Sequence, residues 1–125
     1  MLHMIKELPR NAEPTRKHDT ARFTQCRLPV PHYEWLRYRA FNERTSMNHI
    51  VLQALESLRK QSTDVATPLA LPVTPGTSGG VKFNVHLSDQ MYEWLRTKAF
   101  NSRGSINQLL IAAIADYRLR QEGTL

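Results

Sequence analysis

Cysteine is almost absent from this sequence, since Cys26 is the only one in 125 residues. No disulfide can form within the chain, and a single unpaired thiol fits a reducing compartment such as the bacterial cytoplasm. No apolar run reaches the roughly 18 residues of a membrane span, and the first residues lack the apolar core of a signal peptide. We therefore expect a cytoplasmic protein with no membrane partner.

The usual signatures of catalysis and of cofactor binding are also missing. There is no glycine-rich phosphate loop, and no nucleophile lies beside a recognisable base. His32 and His49 have no other His or Cys at metal-ligand spacing. We therefore predict no catalytic residues, no metal, no cofactor and no small-molecule substrate.

Positive charge is present in excess, but it is unevenly distributed. The net charge is +6; residues 21–60 hold seven Lys or Arg against three acids, whereas residues 61–80 hold none against one. A basic domain indicates a polyanionic partner, nucleic acid before membrane. Charge alone leaves open a basic protein that has no such partner.

The clearest positive feature is an internal repeat. YEWLRYRAFNERTSMN begins at Tyr33, and YEWLRTKAFNSRGSIN begins 59 residues later, at Tyr92. Aligned without a gap, residues 27–55 and 86–114 agree at 13 of 29 positions. A unit of about 40 residues rarely buries enough apolar surface to fold alone. We therefore expect the copies to fold against each other, or against copies in another chain.

Composition divides the chain into four segments. We expect a flexible arm at 1–20, a first unit at 21–60, a linker at 61–80 and a second unit at 81–122, with the two units forming one intertwined domain. The linker contains three prolines and three glycines, which are typical of connecting segments. Its apolar residues fit an ordinary structural role on the core surface: Val65, Leu69, Leu71 and Val73.

Each unit begins with a segment that alternates between apolar and polar residues, which is typical of a short strand with one buried face. These segments span 21–29 and 81–88. The side chains expected to face the core are Thr24, Cys26, Leu28, Phe83, Val85 and Leu87.

Two helices are expected to follow each strand. The first begins near Pro31 or at Ser88, because proline suits a first turn and serine caps a helix. It is expected to end within 42–45 or 101–104, where Asn and Gly tolerate the left-handed conformation that ends helices. The second helix begins at Ser46 or Ser105. Trp35, Trp94, Phe41 and Phe100 recur at the flanks of the apolar stripe, and we expect them to pack at the core edge rather than to form a surface for neighbouring molecules.

This order of elements resembles the ribbon-helix-helix family, the superfamily of the methionine and Arc repressors. The resemblance covers 21–60 and 81–120, and rests on the strand ends, the turns and the openings of the second helices: Leu28-Pro29, Leu87-Ser88, Arg44, Arg103, Ser46-Met-Asn48 and Ser105-Ile-Asn107. It implies a mainly α fold with a two-stranded antiparallel β-ribbon, built from two ribbon-helix-helix units that form an intramolecular pseudo-dimer. Two copies in one chain resemble the tandem arrangement of some plasmid-transfer accessory proteins.

The resemblance implies that the ribbon enters the major groove of double-stranded DNA, where base pairs present distinct donors and acceptors. Six side chains would contact bases: Phe23, Gln25, Arg27, Lys82, Asn84 and His86. If Gln25 lies opposite Asn84, the flanking pairs are Arg27 with Lys82 and Phe23 with His86. Because the two strands differ, we predict a non-palindromic subsite. A solvated polar strand face is the alternative, and Phe23 is left open between base stacking and folding back onto the core.

The second helices provide candidate phosphate sites, because backbone N–H groups at a helix N-terminus suit an anion. Ser46 and Ser105 are expected to act first as caps. The residues predicted to contact phosphate are Arg44, Ser46, Asn48, Arg103, Ser105 and Asn107. Such contacts position a protein on DNA without reading its sequence.

These features together predict a sequence-specific DNA-binding protein without enzymatic activity. Its role would be transcriptional repression or accessory binding in plasmid transfer or partition, in association with the nucleoid or a plasmid. Self-association of chains on adjacent DNA sites is a further expectation. The alternative is an antitoxin-like protein-interaction module, for which only the N-terminal arm could wrap a partner protein.

Overall fold

The structure is a computed structural model that describes residues 22–62, 64–72 and 79–123. Its elements, in chain order, are β1 (Arg22–Leu28), α1 (Val30–Glu43), α2 (Met47–Gln61), β2 (Val81–Leu87), α3 (Asp89–Asn101) and α4 (Ile106–Gln121). Each copy of the repeat therefore forms one strand followed by two helices. The arm at 1–20 and Val73 lie outside the described residues. Among the described helices, none is both long and apolar enough to cross a membrane.

The two strands pair with each other as a two-stranded antiparallel ribbon. The register confirms the predicted outward pairs, which are Gln25 with Asn84, Arg27 with Lys82 and Phe23 with His86. The side chains between them point the other way, and Cys26, Leu28, Val85 and Leu87 are buried. The period-2 pattern of the sequence thus assigns the faces of both strands correctly.

Cys26 is part of this buried face. Its thiol donates a hydrogen bond to the carbonyl oxygen of Phe83 on the partner strand, at 3.3 Å. Burial raises the pKa of the Cys26 thiol to about 12. At neutral pH the side chain is therefore a protonated, small apolar group rather than a reactive thiolate.

Helix starts follow the predicted caps. The hydroxyls of Ser46, Ser88 and Ser105 accept hydrogen bonds from the backbone N–H groups of His49, Met91 and Gln108, at 3.0, 3.1 and 3.1 Å. Pro31 lies in the first turn of α1, where its missing N–H has no cost.

The ends of α1 and α3 differ from the prediction in the residue that adopts the left-handed conformation. That residue is Arg44 after α1, with φ of 55°, and Arg103 after α3, with φ of 58°. The next residue in each copy, Thr45 or Gly104, donates its N–H to a carbonyl five residues back, at 2.9 Å. This is the Schellman arrangement, in which glycine is the usual left-handed residue. Both copies place an arginine there, despite a cost of about 1–2 kcal/mol for a residue with a Cβ.

One hydrophobic cluster contains buried residues from both units. Among the described helices, α2 and α4 pack together most extensively, and each comes from a different unit. Leu36 and Leu95, which occupy the same position in the two copies, are both completely buried in this cluster. Neither unit therefore has a separate core.

The repeated aromatic residues divide into two groups. Trp35 is buried and Trp94 packs against the core, as expected. Phe41 and Phe100 are 82% and 81% exposed, so the expectation of core-edge packing is wrong for this pair. Each follows a buried alanine by one residue, and a step of one residue turns about 100° around a helix, away from the core.

The described part of the linker is docked on the second unit. Lys98 has no exposed surface, and its Nζ donates to the carbonyl oxygens of Asp64 at 2.9 Å and Thr67 at 2.5 Å. The Asp64 carboxylate accepts from the N–H of Ala66 and from the hydroxyl of Thr67. The Ala66 bond is the largest influence that lowers the pKa of Asp64 below its usual value. The linker backbone thus turns tightly around a buried ammonium group.

Further bonds continue this docking toward α4. Asn101 donates to Val65 O at 2.9 Å, and Gln108 donates to Pro72 O at 2.8 Å. Leu69 and Leu71 pack against the core, as predicted for them. A Cβ on Gly104 would lie 2.2 Å from Leu71 Cδ1, so the glycine provides space for the linker. The first unit has Thr45 at this position.

We expect Lys98→Met to destabilise the protein by about 1.5–3 kcal/mol, the usual contribution of hydrogen bonds to a charged group. Methionine retains most of the apolar stem but leaves the two linker carbonyls without their donor. The matched control is Arg39→Met at the equivalent position of the first unit, where the side chain is 24% exposed and its guanidinium bonds to the side chains of Glu43 and Gln121 rather than to backbone carbonyls. That change should cost less than about 1 kcal/mol. Urea unfolding measures both, and equal losses would contradict the assigned role of Lys98.

Candidate nucleic-acid interface

The outward side of the ribbon carries all six side chains predicted to contact bases. Five are exposed, and Arg27 is half-buried: Phe23, Gln25, Lys82, Asn84, His86 and Arg27. We call these six residues the outer face. Because the opposite side of both strands is buried, the outer face is held by the core and points away from it.

Two asparagines attach the ribbon to the helices at its edges. Asn48, in the first turn of α2, accepts from His86 N–H at 2.8 Å and donates to His86 C=O at 3.2 Å. Asn107, in the first turn of α4, makes the same pair of bonds with Arg27, at 2.8 and 3.3 Å. Each asparagine therefore holds the strand of the other unit.

These bonds give Asn48 and Asn107 a structural role beside the predicted one, because they satisfy the unpaired backbone groups of a strand edge. Each amide nitrogen donates one of its two N–H groups to the strand, and the contact with DNA phosphate stays a prediction. The sequence contained a signal for this role, since a two-stranded ribbon has two open edges and the asparagines occur at matched positions. Their partners, Arg27 and His86, could be found only once the register was known.

The edge bonds also define how closely the outer-face residues approach each other. The backbone groups of Arg27 and His86 point outward to the asparagines, so their cross-strand pairs are of the non-hydrogen-bonded type. Cα atoms in such pairs lie about 4.5 Å apart. Arg27 and Lys82 thus present two positive charges side by side, which destabilises a free ribbon. Among the described residues neither has an acidic ion-pair partner, and Arg27 Nη1 donates a hydrogen bond to Gly79 O, at 3.4 Å.

Phe23 lies on the outer face rather than in the core, which answers the alternative left open by the sequence. It is 68% exposed, and its ring packs edge-on against His86 with centroids 4.2 Å apart. The two rings form one aromatic surface at the end of the ribbon opposite Arg27 and Lys82.

The N-termini of α2 and α4 flank the ribbon, because Asn48 and Asn107 attach them to its edges. Neither helix has an acidic residue in its first turn, so no side chain of that turn neutralises the positive end of the helix dipole. Ser46 and Ser105 are exposed caps, and the exposed residues Arg44 and Arg103 precede them by two positions. In position and charge both N-termini suit an anion beside the ribbon.

Among the described residues no group of three or more His, Cys, Asp or Glu is arranged to hold a metal ion. No known protein family, curated protein or solved structure matches this chain. The residues of the site are therefore the only indication of what it can bind. It combines a solvent-facing ribbon of amide, cationic and aromatic side chains with a basic helix N-terminus on each side.

Proposed function

We propose that this chain is a sequence-specific DNA-binding protein of the ribbon-helix-helix class, in which the two units form an intramolecular pseudo-dimer. The observation that carries the proposal is the register of β1 and β2, which collects the six outer-face residues on one exposed surface. A two-stranded ribbon has the dimensions of the B-DNA major groove. Within this class, the proposed role is that of a repressor or an accessory protein in plasmid transfer or partition.

The outer face has side chains suited to base edges. Gln25 and Asn84, at the centre of the ribbon, match the donor and acceptor pair of adenine, and Arg27 and Lys82 match the O6 and N7 acceptors of guanine. The electron-rich edge of guanine also offsets the repulsion between these two cations. The proposal requires no chemical step, so it assigns no enzymatic activity.

The helix N-termini would hold the DNA backbone on both sides of the groove. Arg44 and Arg103 would supply positive charge, and Ser46 and Ser105 open helices whose first turns carry no acidic residue. Strained backbone at a matched surface position is typical of functional sites. Here both left-handed positions carry an arginine, whose positive charge would also bind a backbone phosphate. The asparagines at 48 and 107 are assigned to positioning the ribbon.

Footprinting of the full chain on the DNA that flanks its own gene tests the proposal directly. We expect a protected site and an affinity that falls steeply with salt, because phosphate contacts release counterions. Protection of no sequence, together with binding to random duplex that is insensitive to salt, would refute it.

We expect the double variant Arg44→Gly/Arg103→Gly to weaken binding to all duplex sequences alike. Loss of two phosphate contacts should reduce the slope of log affinity against log salt by about two. Glycine accepts the left-handed conformation without strain, so the variant should be at least as stable as the parent protein. Fluorescence anisotropy at several salt concentrations measures the slope, and thermal unfolding checks the fold.

The matched control for this variant is Arg37→Gln/Arg96→Gln, at equivalent exposed positions of α1 and α3. It also removes two positive charges, but not from the helix N-termini. An equal change of slope in both double variants would mean that total charge, rather than the placement of Arg44 and Arg103, controls binding.

Phe41 and Phe100 favour a second candidate, a protein-interaction module. Their aromatic side chains are exposed at the same position of both units, so each unit offers an aromatic ring that a partner protein could bury. They are compatible with self-association on adjacent DNA sites, which stays a prediction, and also with capture of a different protein. Loss of partner binding in Phe41→Ser/Phe100→Ser, with salt-dependent DNA binding unaffected, would separate the two activities.

A further inference from the structure

The two units differ at every position of the outer face. By the 59-residue interval Phe23 corresponds to Lys82, Gln25 to Asn84 and Arg27 to His86, and none of these pairs is identical. By contrast, when residues 27–55 are aligned with 86–114, 13 of the 29 positions are identical. The units therefore agree in the scaffold and diverge on the exposed surface of the strands.

Antiparallel pairing converts this divergence into a direction along the ribbon. It places Phe23 beside His86 at one end and Arg27 beside Lys82 at the other. With identical units both ends would carry the same pair, and the outer face would look the same after a half-turn. In this chain one end is an aromatic surface with centroids 4.2 Å apart, and the other carries two adjacent cations.

The parts of the protein that flank the two ends of the ribbon also differ from each other. Asn107 attaches the N-terminus of α4 to Arg27, at the cationic end. The linker reaches that same N-terminus, where Gln108 binds Pro72 O and Leu71 fills the space over Gly104. The corresponding position beside α2 is Thr45. The asymmetry of the outer face thus extends to its surroundings.

We infer, on the basis of the proposed function, that the ribbon reads a directional DNA sequence and that the chain binds it in one orientation. Guanine lies under the Arg27–Lys82 end, because two cationic donors match its O6 and N7 acceptors. Thymine lies under the Phe23–His86 end, because its 5-methyl group is the apolar feature of the major groove that an aromatic ring contacts. Adenine lies between them, under Gln25 and Asn84.

The experiment is selection of binding sites from randomised duplexes by three forms of the full chain. The parent protein should select a non-palindromic motif with guanine at one end and thymine at the other. Phe23→Lys/His86→Arg gives both ends the same lysine–arginine pair, and should select guanine at both. Arg27→His/Lys82→Phe gives both ends an aromatic pair, and should select thymine at both. These variants exchange only residues that the chain itself uses at the matched positions.

Base analogues test the same contacts with the unaltered protein. The half of the motif that changes in Phe23→Lys/His86→Arg marks the aromatic end. Replacing its thymine by uracil removes the methyl group, and should weaken binding about fourfold, the effect of one buried methyl. Replacing guanine by 7-deazaguanine at the other end should weaken binding about fivefold or more.

The outcomes separate this inference from the proposed function. A palindromic motif for the parent protein, or no effect of either analogue, overturns directional reading while DNA recognition itself stands. If both swapped variants select the same motif as the parent protein and unfold at the same temperature, directional reading is likewise overturned. The absence of any enriched motif for the parent protein refutes the proposed function, and the inference with it.

Discussion

Alanine at Arg27 or at Lys82 is expected to lower affinity for the selected duplex by about 1–3 kcal/mol, and to relax the preference for one base pair. The two side chains stand opposite each other on the ribbon, and within the described residues they have no acidic ion-pair partner. Their charges are therefore available to a base edge. Anisotropy titrations against the selected duplex and its single-base variants measure both effects.

The control for this prediction is Lys60→Ala, in the last turn of α2. It removes the same charge as Lys82→Ala, but from the end of the helix remote from Ser46, which is about 20 Å away at 1.5 Å per residue. A small loss that is equal for all sequences is expected there. Unchanged affinity and unchanged base preference in both Arg27→Ala and Lys82→Ala would overturn the assignment of the ribbon as the reading element.

Truncation of the core at Leu36→Ala or at Leu95→Ala is expected to destabilise the whole chain by about 2–5 kcal/mol, the usual cost of a buried Leu-to-Ala change. Both leucines are completely buried, and they occupy equivalent positions in the two units. Because one hydrophobic cluster spans both units, damage in either unit should lower the unfolding midpoint of both.

The chain offers a direct way to observe each unit, since Trp35 lies in the first and Trp94 in the second. In a Trp94→Phe background the fluorescence comes from Trp35, which packs against Tyr117 at the contact between the units, and in a Trp35→Phe background it comes from Trp94. We expect coincident urea transitions from the two probes, both in the parent and after either leucine change. A Leu36→Ala variant that shifts only the Trp35 transition would show that the units unfold independently.

Much of the fold could be predicted because it depends on local patterns. Alternation over 21–29 and 81–88 correctly separated buried from exposed strand residues, since side chains alternate with period 2 in any strand. Serine at 46, 88 and 105 marked helix starts, because a cap satisfies N–H groups within its own first turn. The repeat indicated that β1 could pair with β2, and the register was predicted on the condition that Gln25 lies opposite Asn84, which the structure meets.

Other features escaped prediction because they depend on which distant groups meet. The sequence did not single out Lys98, which is buried because the linker backbone surrounds its amine. Phe41 and Phe100 looked like core-edge residues, but the helices turn the preceding Ala40 and Ala99 to the core instead. The left-handed arginines were missed because glycine and asparagine are the intrinsic formers of that conformation, whereas the position of the helix end selects the residue here.

The sequence by itself determined that there are two strand–helix–helix units, which strand side chains face the core, and that the exposed strand residues differ between the units. These are properties of composition and period, which act within one element. Only the tertiary structure decided that Asn48 holds His86, that Asn107 holds Arg27, and that the outer face has an aromatic end and a cationic end. Each of these features depends on which residues of one unit lie beside which residues of the other. Packing of the shared core sets that arrangement.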